Sequence, residues 1–269
     1  MPRTVTAFSN PVIRRLRALD DRKGRRAEGL FLAEGLRMAG EALDAGHVPA
    51  IVALTADAEA HPIGARVAHA CEAAGGEALI VPRDLLAKVT GKDNPAGCAA
   101  AFRLWPTVLE RLDPRAAPLW LAAEGLRDPG NLGTMLRTCD AVGAGGLILL
   151  GHAADPFGVE AVRASMGAIF TVPVAQAGFE SFLDWARAGG AQVAAAVLAS
   201  DAQDYRSVAW RAPAVALMGN EQSGLTPAQA AAADLRVIIP MRGRADSLNV
   251  AVAAGVLLYE MLARLDRAG

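Results

Sequence analysis

Short apolar runs alternate along the chain with segments whose apolar positions recur three and four residues apart. The runs read as buried strands and the periodic segments as amphipathic helices. Val12, Leu16 and Leu19 share one helical face behind Ser9-Asn10-Pro11, a capping side chain followed by Pro at the first helical position. Arg14, Arg15 and Arg17 lie off that face, and Arg22-Lys23-Gly24-Arg25-Arg26 reads as an exposed turn. A short strand is expected at Phe31–Ala33 and a helix at Leu36–Ala45 closed by Gly46. A strand at Val48–Leu54, a helix at Ile63–Ala74, a strand at Ala78–Val81, a helix at Asp84–Thr90 and a strand at Cys98–Leu104 follow.

Trp105–Pro118 holds three Pro residues and little periodicity, and is expected to be a linker. Beyond it, strands at Leu119–Ala123, Leu147–Leu150, Phe170–Val174, Gln192–Leu198, Ala214–Met218 and Leu235–Ile239 alternate with helical segments at 132–142, 159–164 and 179–188. A last helix, Val250–Leu262, is apolar on nearly every face, which calls for burial all round. The order implies an α/β fold. Residues 119–269 form a mostly parallel sheet with helices on both faces, and residues 1–104 form a smaller α/β domain.

Composition removes several function classes. The apolar runs are too short and too interrupted by Gly to span a bilayer, and the N-terminal stretch lacks the apolar core of a secretion signal. Cys71, Cys98 and Cys139 are far apart without a CxxC pair, and His47, His61, His69 and His152 are scattered. Neither a metal site nor a disulfide framework is expected, and a reducing cytoplasm is the simplest compartment. The net charge of -1 does not describe a strongly basic nucleic-acid binder. Residues 1–37, however, carry nine basic groups against four acidic ones. Such a patch can hold phosphates although the whole molecule is near neutral.

Three polar loops follow predicted strand ends, where ligands bind in open α/β sheets. The first runs Glu124-Gly125-Leu126-Arg127-Asp128-Pro129-Gly130-Asn131, with Arg137 farther along the helix behind it. The second is Gly219-Asn220-Glu221-Gln222-Ser223-Gly224. The third is Pro240–Asn249, with Arg242, Arg244, Asp246, Ser247 and Asn249. Ser247 and Asn249 are also good helix caps, and a capped helix start is itself a place for a polar ligand. Gly143-Ala144-Gly145-Gly146 is not a dinucleotide loop, because it follows a helix and precedes a strand. No phosphate loop of the GxxxxGK[ST] type and no GxSxG elbow is present.

The segments Asn131–Arg137 (NLGTMLR), Met218–Leu225 (MGNEQSGL) and Ile239–Ala253 (IPMRGRADSLNVAVA) resemble, in order and spacing, the three signature motifs of the SpoU/TrmH family. These are RNA 2′-O-ribose methyltransferases of the SPOUT class. The resemblance covers about residues 117–265, and the N-terminal unit is similar to the family's RNA substrate-binding domain. It implies a deep C-terminal trefoil knot, which periodicity could not have shown. It implies S-adenosylmethionine held by main-chain groups, with Gly219, Ile239 and Leu248 lining the site and Met218, Met241 and Ser247 near it. It points to Arg137 for catalysis, with Asn131, Glu221, Ser247 and Asn249 as partners. Two roles for Arg137 stay open, because a guanidinium is effectively always protonated. It is either the base, or the group that holds the phosphate beside the target ribose while Glu221 or water takes the proton. Arg14, Arg15, Arg22, Lys23, Arg25 and Arg26 are the candidate RNA contacts. The resemblance also implies a homodimer with part of the last helix at its interface, no metal, and RNA as partner, with ribosomal RNA favoured over transfer RNA. One departure is Ala251, where many relatives have a second Ser. Two other readings are an RNA-binding assembly protein without catalysis, and a methyltransferase directed at a base.

Overall fold

The computed structural model describes residues 2–267. Its contacts divide the chain into two compact units, one holding the residues up to Trp105 together with Phe157–Phe170, the other Pro106–Pro156 together with the residues from Thr171 onward.

In chain order the first unit contains β1 (Arg3–Thr4), α1 (Pro11–Ala18), α2 (Arg22–Glu28), β2 (Leu30–Glu34), α3 (Leu36–Asp44) and β3 (Ile51–Leu54). It continues with α4 (Ala56–Ala60), α5 (Pro62–Ala73), β4 (Glu77–Ile80), α6 (Arg83–Thr90) and β5 (Cys98–Arg103). The sheet order is β1-β4-β3-β5-β2, with β5 antiparallel to both of its neighbours. Successive side chains of β2 face opposite ways. Leu30 and Leu32 join a core with Ile13, Leu16, Leu19, Ile51, Leu79 and Leu86. Phe31 meets a cluster of rings instead, 5.3 Å from Trp105 and 5.0 Å from Phe157, centroid to centroid.

The expected exposed turn at 22–26 is a helix. Asp21 caps it through a 2.7 Å bond from the Gly24 amide, and Gly29 ends it at a φ of 65°. The Arg-rich run hides that cap, because the basic residues suggest a solvated turn.

The second unit runs through β6 (Leu119–Glu124), α7 (Pro129–Ala141) and β7 (Leu147–Leu150), and the chain then visits the first unit as α8 (Val159–Ser165). It resumes with β8 (Val174–Ala177), α9 (Phe179–Gly189), β9 (Gln192–Ala196), β10 (Gln203–Asp204), β11 (Ala214–Met218), α10 (Pro227–Ala232), β12 (Leu235–Ile238) and α11 (Val250–Leu265). The sheet order is β10-β12-β9-β11-β6-β7-β8, and every pairing is parallel. Trp120, Ile148, Val193 and Leu217 pack with Phe182 and Leu183 of α9. The alternate residues of β6 and β11 turn the other way, toward α11, which also packs on α7. Helices therefore cover both faces.

The strand expected at Phe170–Val174 begins only at Val174. Pro173 has no amide to donate, so the ladder starts after it, and residues 168–170 form a 3-10 turn. The expected linker carries two further 3-10 turns, and the Trp120 indole donates to the Pro114 carbonyl at 3.0 Å. Cys71, Cys98 and Cys139 are free and buried, and burial pushes the Cys98 and Cys139 thiols up to about 12. Among the described residues no helix is long and apolar enough to cross a membrane, and no group of three His, Cys, Asp or Glu side chains is placed to hold a metal ion.

Candidate active site

All strands of the second sheet run parallel, so their carboxyl ends share one edge. The segments that leave β6, β9, β11 and β12 there line a cavity of about 900 Å³. Behind β6, Gly125 turns the chain at a φ of 60° and Leu126 is wholly buried, which leaves Arg127 and Asp128 at the cavity. Asp128 caps α7 and Pro129 opens it, so the helix starts three residues before the expected Leu132. The Asp128 carboxylate accepts the Asn131 amide at 2.7 Å, fixing Asn131 in the first turn.

Behind β11, the Asn220 and Gly224 main chains bond each other in both directions, at 3.2 and 2.9 Å. Asn220 accepts from the Gln222 and Ser223 amides and donates to the Gly125 carbonyl at 2.7 Å. It ties two loops together and is spent on structure. A Cβ at Gly219 would lie 2.4 Å from the Gly224 carbonyl carbon, so only Gly closes this loop.

The third loop ends at Asn249, whose side-chain oxygen accepts the Ala251 and Val252 amides at the start of α11. That cap decides which way the amides face. With its oxygen committed, Asn249 presents its NH2, which donates to the Asn131 oxygen at 2.9 Å. Asn131 in turn presents its own NH2, which donates to the Glu221 carboxylate at 3.4 Å. The result is a directed chain from a helix start, through two amides, to a carboxylate. Asn249 is thus both the cap of α11 and part of the cavity wall.

Asn131, Glu221, Ser247 and Asn249 line the cavity, as do Gly219, Ile239, Met241 and Leu248. Met218 does not; as the last residue of β11 it is buried in the sheet. Arg137 is exposed on α7, makes no hydrogen bond or ion pair among the described residues, and is absent from the cavity wall. Sequence reasoning placed Arg127 and Asp128 in a candidate loop but gave them no role, and missed Arg236 and Ala196–Ala199 as cavity residues. Val197 and Leu198 look like the end of an apolar strand, yet β9 stops at Ala196 and Leu198 is 68% exposed. Arg236 is paired with Asp201 at 2.6 Å.

The Arg-rich candidates separate in the first unit. Arg25 is buried, not facing RNA; its guanidinium donates to the Leu19 and Asp20 carbonyls and braces the α1–α2 turn. Arg15 is paired with Glu28 at 2.7 Å. Arg14, Arg22, Lys23 and Arg26 are exposed. Arg17 stacks over Phe8, 4.4 Å from its centroid.

Comparison with known proteins adds to this geometry. A family model described as the SpoU rRNA methylase family matches residues 118–259, and a model of the MRM3-like substrate binding domain matches residues 10–100. The chain is 30% identical to the 23S rRNA (guanosine(2553)-2′-O)-methyltransferase of Bacillus subtilis, covering 96% of this chain and 98% of that one. A crystal structure of an AdoMet-bound rRNA methyltransferase from Sinorhizobium meliloti superposes with a TM-score of 0.90, 40% identity, and coverage of 97% of this chain and 98% of that one. The SpoU methyltransferase AviRb from Streptomyces viridochromogenes, in complex with AdoMet, gives a TM-score of 0.83 at 28% identity over 97% and 99% of the two chains.

Proposed function

The chain belongs to the SpoU rRNA methylase family, and on that footing we propose that it transfers the methyl group of S-adenosylmethionine to a ribose 2′-hydroxyl of RNA, ribosomal RNA in preference to transfer RNA. The observation that carries this reading is the hydrogen-bonded chain from Asn249 through Asn131 to Glu221 at the mouth of the cavity. It joins three segments far apart in sequence at one point.

The cavity suits the methyl donor. Its volume falls in the range of small-molecule sites. Leu198, Ile239, Met241 and Leu248 offer apolar contacts, and the irregular main chain of those segments offers polar ones. When bound there, S-adenosylmethionine supplies an electrophilic methyl group on a sulfonium centre. Residues 197–199, 219, 239, 241 and 248 would hold it.

The residues of the chain do the rest. A ribose hydroxyl is a weak nucleophile and needs its proton accepted or its oxygen oriented. Glu221, held by the Asn131 amide, is the acceptor nearest to hand. Ser247 lines the same wall and can steady the hydroxyl. A guanidinium is a poor base and a good match for phosphate, so Arg137 takes the phosphate beside the target ribose. Holding two reactants in line supplies much of such a rate enhancement.

Arg137 lies outside the cavity of its own chain, which favours a homodimer in which α7 and α11 meet a second copy. Val252 and Tyr259, one heptad apart on α11, are 52% and 55% exposed and form the apolar face for that contact. The strand order supports a knotted reading: the chain crosses β9 from β11 to reach β12, and α11 then returns to pack on β11, β6 and α7. The cytoplasm, where ribosomal RNA is found, is the corresponding location. Arg14, Lys23 and Arg26 are the N-terminal groups free to meet RNA phosphates.

The test is purified protein with methyl-labelled S-adenosylmethionine and rRNA from cells lacking the gene. Nucleoside analysis should find label in a 2′-O-methyl nucleoside, lost in Arg137→Ala and Glu221→Ala. Label on a base, or none despite calorimetric binding of S-adenosylmethionine, sinks the reading.

A further inference from the structure

We infer that Arg127 is the cation in the cavity wall that grips the RNA phosphate on one side of the reacting ribose, the phosphate on the other side falling to Arg137. The inference rests on the RNA methyltransferase reading and adds a residue that the three sequence motifs do not contain.

Two arginines reach the cavity wall, Arg127 and Arg236. Arg236 is already neutralised by Asp201 at 2.6 Å. Arg127 is exposed and makes no hydrogen bond or ion pair among the described residues. Asp128 beside it is turned to the helix start, where it accepts the Asn131 amide. Glu221, the other carboxylate on that wall, is engaged by Asn131. Arg127 therefore offers a whole guanidinium fork to an incoming oxyanion, and that fork matches phosphate geometry.

The backbone under Arg127 is set before any ligand arrives. The Gly125 amide donates to the Leu150 carbonyl at 2.9 Å and the Ala154 amide donates to the Leu126 carbonyl at 2.7 Å. The Gly125 carbonyl accepts from Asn220 at 2.7 Å, and the Leu126 side chain is wholly buried. With the backbone fixed, the protein's ordering cost at this position is confined to the Arg127 side chain. The position is also close to the chemistry: Arg127 shares the wall with Asn131 and Glu221, whereas Arg137 does not line it. A phosphate held there lies beside the hydroxyl that Glu221 serves.

The experiment compares wild type, Arg127→Gln and Arg127→Lys in three measurements: fluorescence anisotropy of a labelled rRNA fragment across a salt series, calorimetry with S-adenosylmethionine, and steady-state methyl transfer. Arg127→Gln should raise the KM for RNA about tenfold with kcat nearly unchanged, as one lost phosphate contact implies. The slope of log affinity against log salt should fall by about 0.7 to 1. Affinity for S-adenosylmethionine should stay within twofold, and Arg127→Lys should recover part of the RNA affinity. Unchanged RNA affinity and slope overturn the inference. So does a loss confined to S-adenosylmethionine, which would assign Arg127 to the carboxylate of the methyl donor. If wild type binds RNA but methylates none, the enzymatic reading fails, while the salt series still decides whether Arg127 touches phosphate.

Discussion

Asn249 does two jobs with two ends of one amide, and the jobs can be separated. Its oxygen caps α11, and its NH2 orients Asn131 toward Glu221. Asn249→Ala removes both, and the lost cap costs about 1 kcal/mol. Asn249→Asp keeps a capping oxygen and adds a charge that the helix start favours. It has no donor for Asn131, however. Asn131 then turns its own NH2 toward position 249 and its oxygen toward Glu221, where two acceptors repel. The expected result for Asn249→Asp is a melting temperature within about 2 °C of wild type and methyl transfer down tenfold or more. Asn249→Ala should lose both stability and activity. Calorimetric melting beside a methyl-transfer assay separates the cases. Full activity in Asn249→Asp would mean that the orientation of Asn131 does not matter. The sequence shows that Asn249 can cap, since Asn before an apolar helix is a common start. It does not show which amide faces which, because that depends on a partner 118 positions away.

At the scale of elements, the polar contacts that bind α8 to the sheet of the first unit gather on one carboxylate. Glu34 ends β2 with its side chain 5% exposed, and it pairs with Lys92 and with Arg163 of α8. Both cations remain partly in water, so removing the carboxylate strands neither completely. Glu34→Gln should cost about 1 to 3 kcal/mol, between the values for an exposed and a buried pair. Glu34→Gln combined with Arg163→Gln should cost less than the two singly summed, because the second loss removes a cation the first left unpaired. Urea midpoints of the four proteins measure this, and strict additivity would show that the pair is not coupled. Elements were legible here where a single local rule sufficed. Pro11 after Asn10 marks the start of α1, and Gly91 ends α6 at positive φ. They were misread where two rules competed. Asp128-Pro129 is a cap followed by Pro at the first helical position, yet it sits in a Gly-rich stretch that reads as loop. Val197-Leu198 has strand composition, yet it leaves the sheet to line the cavity.

For the whole molecule, chain order and spatial order part company at Phe157–Phe170. Read linearly, that stretch follows β7 and belongs with the strands around it. In space it completes the ring cluster of the first unit. Phe157 lies 5.0 Å from Phe31 and 5.0 Å from Trp105, and Phe170 lies 4.8 Å from Phe102. Nothing in periodicity says that a helix more than fifty residues past β5 returns to the first sheet, against β2. The three polar loops, by contrast, were placed at strand ends by the pattern itself, and the resemblance of the motifs added which of their residues to watch; the side-chain links between them were invisible to both. The ring cluster has a consequence for dissection. A fragment ending at Trp105 keeps every strand of the first sheet, but it uncovers Phe31 and Phe102, now 0% and 1% exposed. Each large ring returned to water costs roughly 1.5 to 3 kcal/mol, and a domain of that size has few kcal/mol to lose. The fragment should therefore bind a hydrophobic dye, lose its near-UV circular dichroism and unfold over a broad urea range. Extending it with residues 157–170 through a flexible linker should sharpen the transition and abolish dye binding. A sharp, dye-free transition in the short fragment would show that the strands alone make a stable unit and that the returning segment is an ornament on it.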